Sequence, residues 1–248
     1  MRSFNYTSHF HSFLKVHPVL QRWCYSAIVF CLLAHSSKCE EPLPSYSDAV
    51  AYLQSESTVA VDLNGIARCA DIKRSFAIHN SPPFRLFSFP ESHREVRIDT
   101  TSPTAFEEYR RGKWMKLTST EEDDLFEIGG VNLEDLNPSF LFWKKFTPLP
   151  SETIRGHQCL GISFSSEKAQ SRYSSVSVWV TADSYAPLRA WFYIDGKLNK
   201  QMEVVSIQKI EGKWQAKEIR VSLPYVDNRR QPLTYIDFYT VDSPKEKR

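Results

Sequence analysis

Three observations predict a mainly β fold built on one large, curved antiparallel sheet or barrel, with short helices laid against it. In the last third of the chain, Val176 to Val241, apolar residues fall at every second position, the period of a half-buried strand. Asp195-Gly196 lies between two such runs and supplies the positive φ angles of a type I′ hairpin turn, and Glu211-Gly212 repeats the signal one strand later. Connections this short leave no room for a crossover helix, so the strands are antiparallel and a nucleotide-binding α/β unit is excluded. Aromatic residues make up 13% of the chain against only 8 glycines, which suits strands around a substantial core.

Residues 1–36 read as an export signal with a long amino-terminal region. Arg2, Lys15 and Arg22 precede the apolar run WCYSAIVFCLLA, no acid appears before Glu40, and Ala34-His35-Ser36 places small residues at the −3 and −1 positions of a cleavage site. The run is too short to span a bilayer. The rival reading is a lipoprotein signal acylated at Cys39, which Lys38 fits poorly because such sites want a small residue there. The remainder, 37–248, is long enough for one sizeable domain. Three of the 31 Lys and Arg leave with the leader and none of the 29 Asp and Glu, so the mature chain carries 28 basic against 29 acidic residues. A near-neutral chain without a basic stripe is not built for nucleic acid.

Along that domain, Tyr46 to Ser55 keeps helical spacing at Tyr46, Ala49, Val50 and Leu53, with Ser45 three residues before Asp48 as a capping start. From Val59 the period becomes two: Val59, Val61, Leu63, Ala67 and Cys69 face one way, Asp62, Asn64 and Arg68 the other. Gly65 interrupts the inward row and marks either a bulge or a close approach by another backbone. IKRSFAIH, FRLFSF, REVRID and a hairpin around Arg111-Gly112 follow, for about a dozen strands in all once the later ones are added. Glu121 to Asp124 reads as a solvated acidic turn and Gly129-Gly130 as a flexible joint. NLEDLNPSFLFWKKF reads as two short helices, the first capped by Asn132 and the second by Asn137 before Pro138. Phe140, Leu141, Phe142 and Trp143 form an apolar block that either plugs the core or covers the open mouth of the sheet and gates a cavity. In the closing meander Leu188, Ala190, Phe192 and Ile194 share one face, while Arg189, Trp191 and Tyr193 share the other.

Cys69 and Cys159 lie well inside the mature chain. In an exported protein an even pair is a disulfide candidate, and two separately buried thiols are the alternative. No catalytic, metal or cofactor site is indicated. Gly161-Ile162-Ser163-Phe164-Ser165 lacks the last glycine of a nucleophile elbow and sits in an alternating strand. His79, His93 and His157 show no ligand spacing.

The order of GVNLEDLNPSFLFW, IRGHQCLGISF, the Y-x-D-G-K turn, the V-x-S-x-x-K-x-x-G-x-W strand and the closing TYIDF resembles the LolA-like outer-membrane lipoprotein-sorting group, related to LolA, LolB and the sensor domain of RseB-type regulators. The resemblance covers most of the mature chain and is strongest from Asn132 to Phe238. It implies an incomplete antiparallel β-barrel with helices on its concave face, forming a lid over a hydrophobic cavity. It further implies a periplasmic carrier or chaperone for the acyl chains of lipoproteins or other apolar cargo, working toward the outer membrane through transient contact with inner- or outer-membrane partners. Cavity and lid candidates are then Phe140, Leu141, Phe142, Trp143, Phe192 and Ile194. The competing expectation is an envelope sensor or protein-interaction module on the same sheet, without lipid transport.

Overall fold

The computed structural model describes residues 45–57, 62–81, 83–99, 105–166, 171–210, 213–225, 229 and 231–240. The expected leader and cleavage site, Cys39, Val59, Val61 and Glu211-Gly212 lie outside them. Helix α1 (Tyr46–Ser57) comes first, and its Ser45 cap accepts from the Asp48 amide at 3.3 Å. Six strands follow from the middle of the sheet outward: β1 (Leu63–Cys69), β2 (Ile72–Ser81), β3 (Phe84–Phe89), β4 (Arg94–Asp99), β5 (Phe106–Arg110) and β6 (Lys113–Lys116). After a crossing segment the chain resumes at the far edge with β9 (Lys145–Ile154). It then works back through β10 (His157–Ser165), β11 (Ser175–Thr181), β12 (Pro187–Ile194), β13 (Lys197–Ile210) and β14 (Lys213–Ser222) to β15 (Thr234–Tyr239). β15 pairs with β1, which closes the two meanders into one 13-stranded antiparallel sheet with β6 and β9 at its edges.

The turn chemistry behaves as the sequence predicts. Arg111-Gly112, Arg155-Gly156 and Asp195-Gly196 all take positive φ at both positions, so each hairpin closes in two residues and keeps its strands twisted correctly. Alternation carries Phe76, Phe87, Val96, Ile162, Phe164, Val176 and Ile236 into the main core, all essentially inaccessible to solvent. Leu188 departs from the expected row. A register shift beside Trp179 and Val180 lets Leu188 join Ile154, Cys159, Trp179 and Trp191 in a second, smaller cluster instead of following Ala190 and Phe192.

Two further expectations are corrected. Gly65 is not bulged: it pairs in unbroken register with Phe76 on one side and Phe238 on the other. What approaches it is a side chain, because a Cβ there would lie 2.1 Å from the Phe76 ring. Cys69 and Cys159 are both buried and both free. Cys69 belongs to the main core and Cys159 to the second cluster, on strands several places apart in the sheet, so no bridge joins them. Burial pushes the Cys159 thiol pKa up, which suits an inert packing role.

The crossing from β6 to β9 contains helix α2 (Ser119–Leu125), a hairpin of β7 (Glu127–Ile128) and β8 (Val131–Asn132), and two 3-10 turns, Leu133–Leu136 and Ser139–Phe142. The acidic stretch is therefore helical, started by a reciprocal capping box between Thr118 and Glu121. Gly129-Gly130 is a tight hairpin turn with φ of 53° and 80°, held by the Thr234 hydroxyl, which donates to the Gly129 carbonyl at 2.9 Å. Asn132 caps the first 3-10 turn as expected, reciprocally with Asp135. Asn137 does not cap the second. It ends the first turn, and its side-chain oxygen accepts from Arg85.

The Gly65–Phe76 contact yields a test. Gly65→Ala should lower stability by about 1–3 kcal/mol in urea unfolding, because the Phe76 ring must leave its packed position. Gly196→Ala meets open space and should cost about 1 kcal/mol, through its positive φ alone.

Candidate functional site

The later part of the crossing, Asp135 to Leu141, forms a roof over the part of the sheet made by β11 to β15. Beneath it is a cavity of about 320 Å³. Leu136, Pro138, Phe140 and Leu141 come from the roof, Leu53 from α1, and Val178, Ala190, Phe192, Met202, Val204, Ile219 and Phe238 from the sheet. Such a volume lies at the small end of ligand-binding pockets, and the lining is almost wholly apolar. Period-two alternation puts the sheet residues there, since each is on the concave face of its strand.

Of the six cavity and lid candidates, Phe140, Leu141 and Phe192 line this space. Phe140 packs edge-to-face on Phe164, Phe192 and Trp143, with centroids 5.7, 5.9 and 6.4 Å apart. Ile194 and Trp143 pack against the core without lining the cavity, and Phe142 points outward, 37% exposed. The apolar block is thus split by the geometry of a 3-10 turn, in which four successive residues cannot share one side.

What holds the roof down is polar. Lys200 on β13 is fully buried, and its Nζ lies 2.6 Å from Asp135 Oδ2. The same ammonium donates to the Gly130 carbonyl and sits 5.3 Å from the centre of the Tyr173 ring. The Tyr173 hydroxyl donates to Asp135 Oδ1 at 2.7 Å and accepts from Asn132 Nδ2 at 3.0 Å. Burial and the neighbouring Asp135 carboxylate raise the Tyr173 pKa, so it stays a neutral donor. On the other side, Arg85 of β3 donates from Nη1 to Asn137 Oδ1 at 2.7 Å and from Nε to Asn80 at 2.8 Å. Burial lowers the Arg85 pKa to about 10, still far above neutrality. Gln54 of α1 adds a third tie, donating to the Leu141 carbonyl at 2.7 Å.

Sequence reasoning missed Lys200, Asp135, Arg85 and Tyr173. One signal was present: Lys200 and Arg85 both fall on the inward row of their strands, where a charge needs a partner. A second polar cluster joins α2 to the first 3-10 turn. Arg172 reaches Asp123 at 2.7 Å and Glu134 at 3.5 Å, and Glu122 lies at 4.0 Å. Burial raises the Glu122 pKa to about 7 and raises that of Glu134.

Of His79, His93 and His157, the first has its Nδ1 2.6 Å from Asp62 Oδ2. Ser163 lies 3.5 Å from the Ser177 hydroxyl, its partner across the β10–β11 ladder. Among the described residues no group of three His, Cys, Asp or Glu side chains could hold a metal ion.

The fold defines a class. An open antiparallel sheet with a roof of short helices is the LolA-like fold, and solved structures of that kind superimpose on most of the chain. A LolA superfamily protein from Nitrosomonas europaea aligns with a TM-score of 0.58 at 13% identity, over 79% of this chain and 94% of that one. A DUF1329 family protein from Desulfovibrio piger aligns with a TM-score of 0.60 at 18% identity, over 81% and 95% respectively. Residues 110–242 match the model of a family described as "-like: Uncharacterized protein". That span is more than half of the chain, so the protein belongs to this family. No curated protein matches by sequence.

Two measurements check the polar ties. Lys200→Met leaves the Asp135 carboxylate buried without its cation and should cost about 3–5 kcal/mol in urea unfolding. Adding Asp135→Asn should restore most of that loss. The unfolded Glu122 carboxyl titrates near 4.5 and the folded one near 7, so between these values the folded state keeps a proton that the unfolded state has released. Stability should therefore fall as pH rises through that window. Glu122→Gln should flatten the decline in a series of melts from pH 4 to 8.

Proposed function

We propose that the protein is an exported, periplasmic carrier or chaperone that shelters acyl chains of lipoproteins, or other apolar cargo, in the cavity under the roof, for transfer toward the outer membrane. The observation that carries this reading is the cavity itself, because an apolar space next to a well-packed core is not needed for stability. The space is lined almost entirely by apolar side chains that leave it unfilled, which is the setting in which an apolar ligand gains by entering. An apolar chain entering it gains about 0.8 kcal/mol per methylene buried. The export leader read in residues 1–36 supports a place in the envelope, and the domain is taken as 37–248. The LolA-like fold of the chain supports the same reading by analogy.

A carrier must also let go. The roof is suited to that because polar ties, which can be exchanged for water, hold its cavity side: Asp135 to Lys200, Asn137 to Arg85, and the Leu141 carbonyl to Gln54. Lifting it would expose the Phe140 and Leu141 side chains along with the cargo, so closing over an emptied cavity offsets part of the cost of release.

Protein starting at Glu40, exported to a periplasm and purified without detergent, should yield stoichiometric acyl lipid or lipopeptide on mass spectrometry of an organic extract. Ala190→Phe, which projects a ring into the cavity, should abolish that recovery while leaving the melting temperature little changed. Phe142→Ala, outside the cavity, should alter neither. Repeated recovery of nothing apolar from the wild type would sink the carrier reading and direct attention to capture of an envelope protein.

A further inference from the structure

The sheet has two edges, and they are finished differently. β9 carries Pro148 and Pro150, which have no N–H to offer a further strand, and the Tyr46 hydroxyl of α1 donates to its Leu149 carbonyl at 3.2 Å. β6 carries no proline, and among the described residues no strand pairs with it beyond β5. The Leu117 amide donates to the Phe106 carbonyl at 2.8 Å, so in the β5–β6 register the bonded pairs are Leu117–Phe106, Met115–Glu108 and Lys113–Arg110. The alternate residues, Trp114 and Lys116, therefore turn their backbone N–H and C=O groups outward, where another strand can meet them.

The flanks of this edge carry apolar surface and positive charge. Trp114 shares a face with its cross-strand neighbour Tyr109, their ring centroids 5.3 Å apart, and Tyr109 is 51% exposed. The Arg97 guanidinium lies 4.3 Å from the centres of both the Trp114 and Phe84 rings and is tied to Glu107 at 2.8 Å, which holds the indole in place before anything binds. Met115, 40% exposed, serves the opposite face. Arg94, Arg97 and Arg110 nearby are each matched by Glu107, Glu108 or Glu121. Arg111, Lys113 and Lys116 are exposed and form no ion pair among the described residues. A second copy of the chain laid along this edge would double the unmatched cations in one seam, and edge lysines oppose such self-pairing. An acidic strand would neutralise them.

We propose that β6 is a docking edge for an extended acidic segment of another polypeptide, which adds antiparallel as one further strand of the sheet. Acids stand opposite Lys113 and Lys116, and the two residues between them lie beside Met115 and Trp114 on opposite faces, so the segment reads acid, apolar, aromatic, acid. No residue of β6 lines the cavity, and occupation of this edge does not depend on what the cavity holds.

The test titrates the purified protein with a capped peptide built on Glu-Val-Tyr-Glu, and with versions in which both acids are glutamine or lysine, by calorimetry and by amide exchange in NMR. At low salt one acidic peptide should bind per chain, about three- to tenfold more tightly than the glutamine version, with the lysine version weaker still. Added salt should narrow that gap. In the complex the Trp114 and Lys116 amides should become protected, while those of Lys113 and Met115, already bonded to β5, change little. Methylating the tyrosine amide of the peptide removes one ladder donor and should weaken binding about fivefold. Lys113→Glu with Lys116→Glu should reverse the order of the peptides and leave the melting temperature unchanged. Equal affinity for the three peptides, binding without protection of the Trp114 and Lys116 amides, or no binding of the acidic peptide would each overturn the proposal. So would protection of the same amides at high protein concentration without peptide, which would give the edge to a second copy. None of these outcomes touches the lipid extraction that tests the carrier reading.

Discussion

A lysine ammonium and an aspartate carboxylate, 2.6 Å apart inside an apolar interior, fasten the crossing segment to the sheet. Neither charge could remain there alone, since an unpaired ion in such surroundings costs several kcal/mol. Their placement is informative because of what each is attached to. Lys200 stands on the inward row of a long central strand, β13, and Asp135 stands on the segment that crosses from one sheet edge to the other. An apolar contact would have fixed the crossing to the sheet over a range of positions. An ion pair that is also hydrogen-bonded to Asn132, Tyr173 and the Gly130 carbonyl admits one position.

The topology explains why such a fastening is needed. Six strands run from the centre to one edge, and the next seven start at the opposite edge and return. The connection has to traverse the concave face, and it does so with very short elements: a two-turn helix, a hairpin of two-residue strands and two 3-10 turns. None of these buries enough apolar surface to be stable alone. The crossing keeps its shape by capping boxes at Thr118 and Asn132, by the Gly129-Gly130 turn seated on Thr234, and by Phe126 packed on Phe76 and Phe89. A cavity then remains where the roof stands off from the alternating apolar row beneath it, and the same ties that support the roof set the cavity's height.

Similarity to solved LolA-like structures at 13–18% identity fits this division of labour. A sheet tolerates wide replacement of apolar residues as long as their alternation persists. The groups that fasten the roof in this chain are a lysine, a buried arginine and a glutamine side chain.

The sequence by itself determined the sheet. Period-two runs and two-residue Asx- or Arg-Gly turns are local instructions, readable from neighbours along the chain, and they specify antiparallel meanders in which Phe192 and Ala190 face inward. It also located the crossing and the Asn132 cap. Only the tertiary structure decided which inward residues meet. That Cys69 and Cys159 stay apart, that Phe142 turns outward while Phe140 and Leu141 turn in, and that Lys200 finds Asp135 all depend on strands far apart in the chain becoming neighbours. The physical reason is range: backbone preference acts over a few residues, whereas a buried charge or a cavity wall is defined by whatever the completed sheet brings within a few ångströms of it.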